Sequence, residues 1–207
     1  WAIPYYHFGL RATVPIGNHF ITGVHVANGW NTVEDNNSGK TVGLMGNFVS
    51  KKVTWSNTYH TGPENSGTNR GFRNLYDTTL LLTPADKFSA YINYDYGQNT
   101  SWTGNKNATA AWYGIALASK FQLTSKIAVT PRYEWFKDRD GYSTGTAQKL
   151  QEFTLTYEYK WVEGLLGRLE YRRDWSDQPF FERGAGLATS NSQNTLLVGL
   201  VAFFGPK

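Results

Sequence analysis

The chain has 207 residues, of which 40% are hydrophobic and 16% aromatic, with 13 Tyr, 8 Trp and no Cys. No run of about 18 apolar residues occurs, so no transmembrane helix is offered; a membrane β-barrel, which needs only every second residue apolar, passes that test. The 20 basic residues are interleaved with 16 acidic ones for a net charge of +4, and no Lys/Arg cluster points to nucleic acid as a partner.

In chain order, residues 5–14 read as a strand entering a tight turn at 15–18. Residues 19–33 follow, with Phe20, Val24 and Val26 on one parity, and end in a polar loop at 34–39. Strands at 40–49 and 53–61 are joined by a short connection, and a long loop covers 62–71. Strands at 72–82 and 88–96 flank the turn 83–87. In the second, Phe88, Ala90, Ile92, Tyr94 and Tyr96 alternate with Ser89, Tyr91, Asn93 and Asp95. Residues 97–107 read as a long polar loop, and strands at 108–121 and 127–136 bracket a tight turn at 122–126. Pro131 removes a ladder donor in mid-strand, so a bulge or a sheet edge is expected there.

After a polar loop at 137–147, residues 151–175 carry the clearest pattern. Phe153, Leu155, Tyr157, Tyr159 and Trp161 fall on one parity; Glu152, Thr154, Thr156, Glu158 and Lys160 fall on the other. Beyond a short connection containing Gly164, Leu169, Tyr171 and Trp175 alternate with Arg168, Glu170, Arg172 and Asp174. Successive strand residues point to opposite faces, so this is a hairpin with one apolar and one charged face. A loop at 176–194 precedes the last strand, 195–204.

Short and long connections thus alternate, as they do in outer-membrane barrels with short periplasmic turns and longer extracellular loops. The expected fold is all-β: a transmembrane antiparallel up-and-down β-barrel of about 11–12 strands, one domain over residues 1–207. Single-chain bacterial barrels have an even strand number, and Trp1 reads as if cut into an ongoing strand. Strands N-terminal to it are therefore expected to be missing from a larger barrel. A soluble carbohydrate-binding sandwich is the alternative; a propeller would want smaller, less two-faced strands.

If the charged parity faces a lumen, the pore lining is Arg11, Lys120, Arg132, Glu134, Glu152, Glu158, Lys160, Arg168, Glu170 and Arg172. Cross-strand ion pairs are expected among them, either tuning which solutes pass or filling the interior. The membrane-facing aromatics are Phe88, Tyr94, Phe153, Tyr157, Tyr159, Trp161 and Tyr171. Trp112 and Tyr91 fall on the inward parity, where aromatics can stack on sugars.

Of the four histidines, His19 and His25 share a parity but lie about 20 Å apart along a strand at roughly 3.3 Å per residue, too far for one metal. No Gly-x-Ser-x-Gly elbow occurs. The histidines, His7 and His60 included, are therefore expected to be solvated or lumen-facing, with no catalytic residue, metal site or cofactor. Asp35 to Gly39 is rich in oxygen ligands but lacks the bidentate acid of a calcium loop, and reads as a polar turn, as does Asp138-x-Asp140-Gly141.

The stretch WAIPYYHFGLRATVPIGNHFITGVHVANGWNTVEDNN (residues 1–37), the hairpin rhythm and the closing 196–204 resemble the C-terminal half of the β-barrel porin family of bacterial outer membranes. The resemblance implies a passive diffusion channel for small hydrophilic solutes or ions, and no enzyme. Outer-membrane lipid and lipopolysaccharide would surround it, and a homotrimer is the assembly porins often adopt. Such proteins usually finish on an aromatic residue, whereas here Phe203 and Phe204 are followed by Gly205-Pro206-Lys207. The competing function is a non-transporting structural or adhesive scaffold that displays the loops 62–71, 97–107 and 176–194.

Overall fold

A computed structural model describes residues 2–103, 106–184, 186 and 188–205. Trp1, Pro206 and Lys207, used in the reading of the two termini, lie outside the described residues, as do Gly104 and Asn105 in the expected loop 97–107. The chain is all-β. Eleven strands form one antiparallel up-and-down sheet in the order β1-β2-β3-β4-β5-β6-β7-β8-β9-β10-β13. They are β1 (Gly9–Ile16), β2 (Phe20–Ala27), β3 (Thr41–Val49), β4 (Val53–Gly62), β5 (Arg73–Ala85), β6 (Phe88–Thr103), β7 (Lys106–Gln122), β8 (Ile127–Asp138), β9 (Gln148–Val162), β10 (Leu165–Ser176) and β13 (Ser192–Ala202). Between β10 and β13, β11 (Phe181–Glu182) and β12 (Ala188–Ser190) make a separate two-stranded sheet. Among the described residues no pairing joins β1 to β13, so the barrel wall has two free edges.

Side-chain alternation gives this wall two unlike faces. Along β9, Glu152 is 3% exposed and Phe153 38%, and the same alternation continues through Thr154, Leu155, Tyr157 and Glu158. On the face that carries Glu152, side chains meet across an intervening strand: Lys120 of β7 reaches over β8 to Glu158 of β9, and the rings of His25 on β2 and His60 on β4 lie 4.5 Å apart across β3. On the other face Tyr133 and Trp175 approach across β9 only to 6.3 Å between ring centroids. A sheet that curls brings distant strands together on its concave side, so this face points inward. The opposite face presents Leu44, Ile92, Leu117, Leu155, Tyr171 and Leu196, all exposed. A contiguous apolar surface of that extent is unusual on a water-soluble monomer. A sandwich would cover it with a second large sheet; among the described residues the second sheet is only β11–β12.

Several expected boundaries are corrected. The first strand starts at Gly9 rather than residue 5, because residues 2–8 leave the ladder and run over the inward face. There the Trp112 indole donates to the Ala2 carbonyl (2.9 Å) and the Tyr5 amide donates to Asn31 Oδ1 (2.7 Å). The second strand stops at Ala27, and the stretch after it is tied down by Glu64, whose Oε2 accepts the Trp30 amide at 3.0 Å. The expected loop 97–107 is mostly strand: β6 and β7 run on in register through Gly97↔Trp112 to Thr103↔Lys106. Its polar composition suits a hairpin longer than the roughly 9–11 residues that span a bilayer, since the excess stands in water. The loop 176–194 likewise contains β11 and β12.

Pro131 occupies a central strand, with neither a bulge nor an edge. It pairs with Leu155 on β9, while on the β7 side the ladder skips from Ala118↔Arg132 to Phe121↔Val129 without a change of register. A residue without an N–H interrupts one ladder and leaves the other whole.

Candidate functional site

All the sequence-predicted pore-lining residues lie on the inward face. Arg11 stands opposite His25, Lys120 and Arg132 share the parity of buried Ala116 and Phe136, and Arg168, Glu170 and Arg172 face Glu158, Thr156 and Thr154. Two ionic clusters form. In the first, Glu158 holds Lys120 on one side and Arg168 on the other, with Arg168 Nε 2.7 Å from Oε1. In the second, Glu152 accepts from Arg132 at 2.7 Å and lies 3.7 Å from Arg172. Arg132 also pairs with Glu134, and Arg172 with Asp174 at 2.7 Å. Thr156 donates to Glu170 at 2.7 Å. Lys160 departs from the expected cross-strand pairing and reaches the turn residue Glu163 at 3.3 Å. Arg11, on the edge strand, has no ion pair among the described residues.

Parity extends the inward charge set to Asp174, Asp77 and Asp95, the last two directly opposite each other on β5 and β6. The Asn93 side chain donates to Asp77 at 2.7 Å, and Asp95 is 7% exposed with Oδ1 unpartnered. Two carboxylates face to face are unfavourable when both are ionised.

Near the long loops the inward face changes character and fills. Trp112, Phe136, Leu150 and Phe181 are buried together, with Ala2, Trp30 and Phe180 packed against them. Gly97 makes the seat for Trp112: a Cβ there would lie 2.0 Å from indole Cε2. Trp112 stacks on Tyr142 (5.3 Å, 16°), and the Arg73 guanidinium lies over Trp30 (4.7 Å) and Tyr142 (5.4 Å). Glu64 Oε2 sits 3.8 Å from Arg73. Trp112 is inward as expected, but its rings are already packed and it is 1% exposed, which leaves no face for a sugar.

The oxygen-rich loops are internally satisfied. Asp35 accepts from Lys40 and from the Asn37 amide (3.0 Å), and the Lys40 bond, with the amide after it, holds its carboxyl below the usual range. Asp138 is wholly buried and accepts the amides of Tyr142, Ser143 and Thr144 at 2.7–2.9 Å. The Asp35 segment is a polar loop, and Asp138, the last residue of β8, holds the polar turn that follows it.

The aromatics Phe88, Tyr94, Phe153, Tyr157, Tyr159, Trp161 and Tyr171 all lie on the outward parity. Cationic side chains join that face at the long-loop end, where Lys137 and Lys149 stand opposite each other and Arg173 stands opposite Phe153.

The histidines take an arrangement that their spacing did not suggest. His19 is exposed beside a short turn, 3.0 Å from the Val49 carbonyl. His7, His25 and His60 instead converge, with ring centroids 4.5–5.1 Å apart. Register does this: His25 on β2 faces Gly43 on β3, which faces His60 on β4. Residues 2–8 then bring His7 over both.

A family model described as Putative beta-barrel porin-2, OmpL-like, matches residues 1–204. No curated relative and no solved structure matches the chain significantly.

Proposed function

Since the chain belongs to the OmpL-like β-barrel porin-2 family, we propose that it sits in the bacterial outer membrane as a passive channel for small hydrophilic solutes or ions. The observation that carries this reading is the opposition of the two faces: ion pairs such as Arg168–Glu158 on one, Phe153, Leu155 and Tyr157 on the other. An Arg or Lys at the bilayer midplane costs about 2–4 kcal/mol, so the charged row belongs in water and the apolar row in lipid. Solutes then meet a wall of paired, water-facing charges whose balance sets ion preference. No cofactor is needed for such passage. The cations Lys137, Lys149 and Arg173 at the long-loop end suit lipopolysaccharide phosphates, which charge-assisted hydrogen bonds would hold.

A second reading is favoured by the packing around Trp112, Arg73 and residues 2–8: a plugged, non-transporting scaffold. Planar-bilayer recording separates the two. A channel gives stepwise currents, and Arg168→Glu with Arg172→Glu shifts the reversal potential in a salt gradient towards cation preference. Absence of currents from folded protein supports the scaffold, and an unmoved reversal potential removes these arginines from the conduction path.

A further inference from the structure

We propose that His7, His25 and His60 form a binding site for one divalent first-row transition-metal ion of the kind that takes imidazole ligands, such as Zn2+. Their candidate ligand nitrogens all lie within 4.8 Å of one another. Three nitrogens bound tetrahedrally at about 2.0–2.1 Å from zinc stand roughly 3.3–3.4 Å apart. Small side-chain rotations close that difference without moving the sheet.

The hydrogen-bonding state of the rings points the same way. His60 is 9% exposed and both of its ring nitrogens are buried without a partner, as are Nε2 of His25 and Nε2 of His7. Buried polar atoms are nearly always paired, because leaving one unmade costs its full desolvation. Three imidazoles packed against one another, with so many lone pairs and N–H groups unspent, form a poor core and a good ligand set. A bound cation would take one nitrogen from each ring.

The backbone is also shaped for the cluster. A Cβ on Gly43 would lie 2.1 Å from His25 Cε1 and 2.5 Å from both of its ring nitrogens. Only glycine at that register position lets the His25 ring lie across β3 towards His60. The cluster opens on a cavity of about 340 Å³ that Arg11, Met45 and Thr58 also line. Three neutral imidazoles leave the ion its full double charge and a fourth position open. The Arg11 guanidinium opposes a bare cation there and favours an anionic fourth ligand such as chloride or hydroxide. The ion would tie residues 2–8 to β2 and β4, fixing that segment across the interior. This inference rests on the histidine geometry alone and stands whether or not the barrel conducts.

The test uses the full chain without a polyhistidine tag, refolded in detergent micelles, stripped of metal and titrated with Zn2+ by calorimetry and with Co2+ by visible absorption. The expected result is one ion per chain, with the intense absorption of four-coordinate Co2+. His25→Gln and His60→Gln each weaken binding more than tenfold. Gly43→Ala, which keeps every imidazole but displaces His25, weakens it roughly 10- to 100-fold, the range for residues that orient metal ligands. His19→Gln leaves it unchanged. Each variant's fold is checked by its heat-dependent gel mobility. Should a strand variant not fold, His7→Gln decides, since residue 7 lies outside the sheet. No saturable binding, binding kept within twofold in His60→Gln or His7→Gln, or equal loss in His19→Gln overturns the proposal.

Discussion

Replacing Leu155 by Arg measures what the outward face touches. Leu155 sits at the middle of β9 (Gln148–Val162), outward and 42% exposed, between Pro131 on one neighbour and Tyr171 on the other. In water, an exposed strand position of this kind tolerates substitution to within about 0.5 kcal/mol. In hydrocarbon, an Arg near the midplane costs about 2–4 kcal/mol, a fall of roughly 30- to 700-fold in the folded-to-unfolded ratio. The two environments therefore predict effects that do not overlap. Denaturant unfolding of the barrel in phospholipid vesicles, followed by tryptophan fluorescence, reads the difference. Lys149→Leu, on the same face at the strand end, should move stability by no more than about 1 kcal/mol, as expected near the interface. A Leu155→Arg change within about 0.5 kcal/mol would refute the lipid placement of this row.

Two further predictions concern the long-loop end. Gly97→Ala forces the Trp112 ring from its seat and should destabilise the barrel by about 1–3 kcal/mol, as overpacking does; unfolding curves and a shift in tryptophan emission check it. Asp140 accepts the Ala111 amide at 2.9 Å, and that bond, with Arg139 beside it, holds its carboxyl below the usual range. A depressed folded-state pKa means the contact contributes stability above the unfolded value near 3.9 and loses it as pH falls through the lower folded value. The Ala111 amide chemical shift should therefore titrate only in acid, and Asp140→Asn should abolish that titration.

The two-faced hairpin β9–β10 was legible because period-2 alternation needs no knowledge of neighbours: Glu158 and Tyr157 announce their faces by themselves. Cross-strand ion pairing in this hairpin was expected from the same alternation, but the partner was not: a register shift between Leu165 and Leu166 is what sets Arg168 opposite Glu158. The outer parts of β6 and β7 were not legible, because Gly97 to Thr103 has a loop's composition and only pairing with β7 makes it strand. Residues 5–8 erred in the opposite direction. Their aromatics imitate a strand, yet Trp112, far along the chain, draws that segment across the interior. The histidine cluster was hidden for a related reason. Distance along one strand separates His19 from His25, whereas the register through Gly43 joins His25 to His60, and register emerges only when three strands pair. Asp77 opposite Asp95 needed the same information.

The most direct test uses the natural absence of cysteine. Single cysteines placed at each position from Gln151 to Trp161 and spin-labelled in phospholipid vesicles report exposure to oxygen, which concentrates in lipid, and to a water-soluble nickel complex. The account predicts a two-residue rhythm, with oxygen accessibility peaking at Phe153, Leu155, Tyr157 and Tyr159 and falling at Thr154, Thr156 and Glu158. Nickel accessibility peaking at the aromatic positions, or no alternation at all, would contradict it.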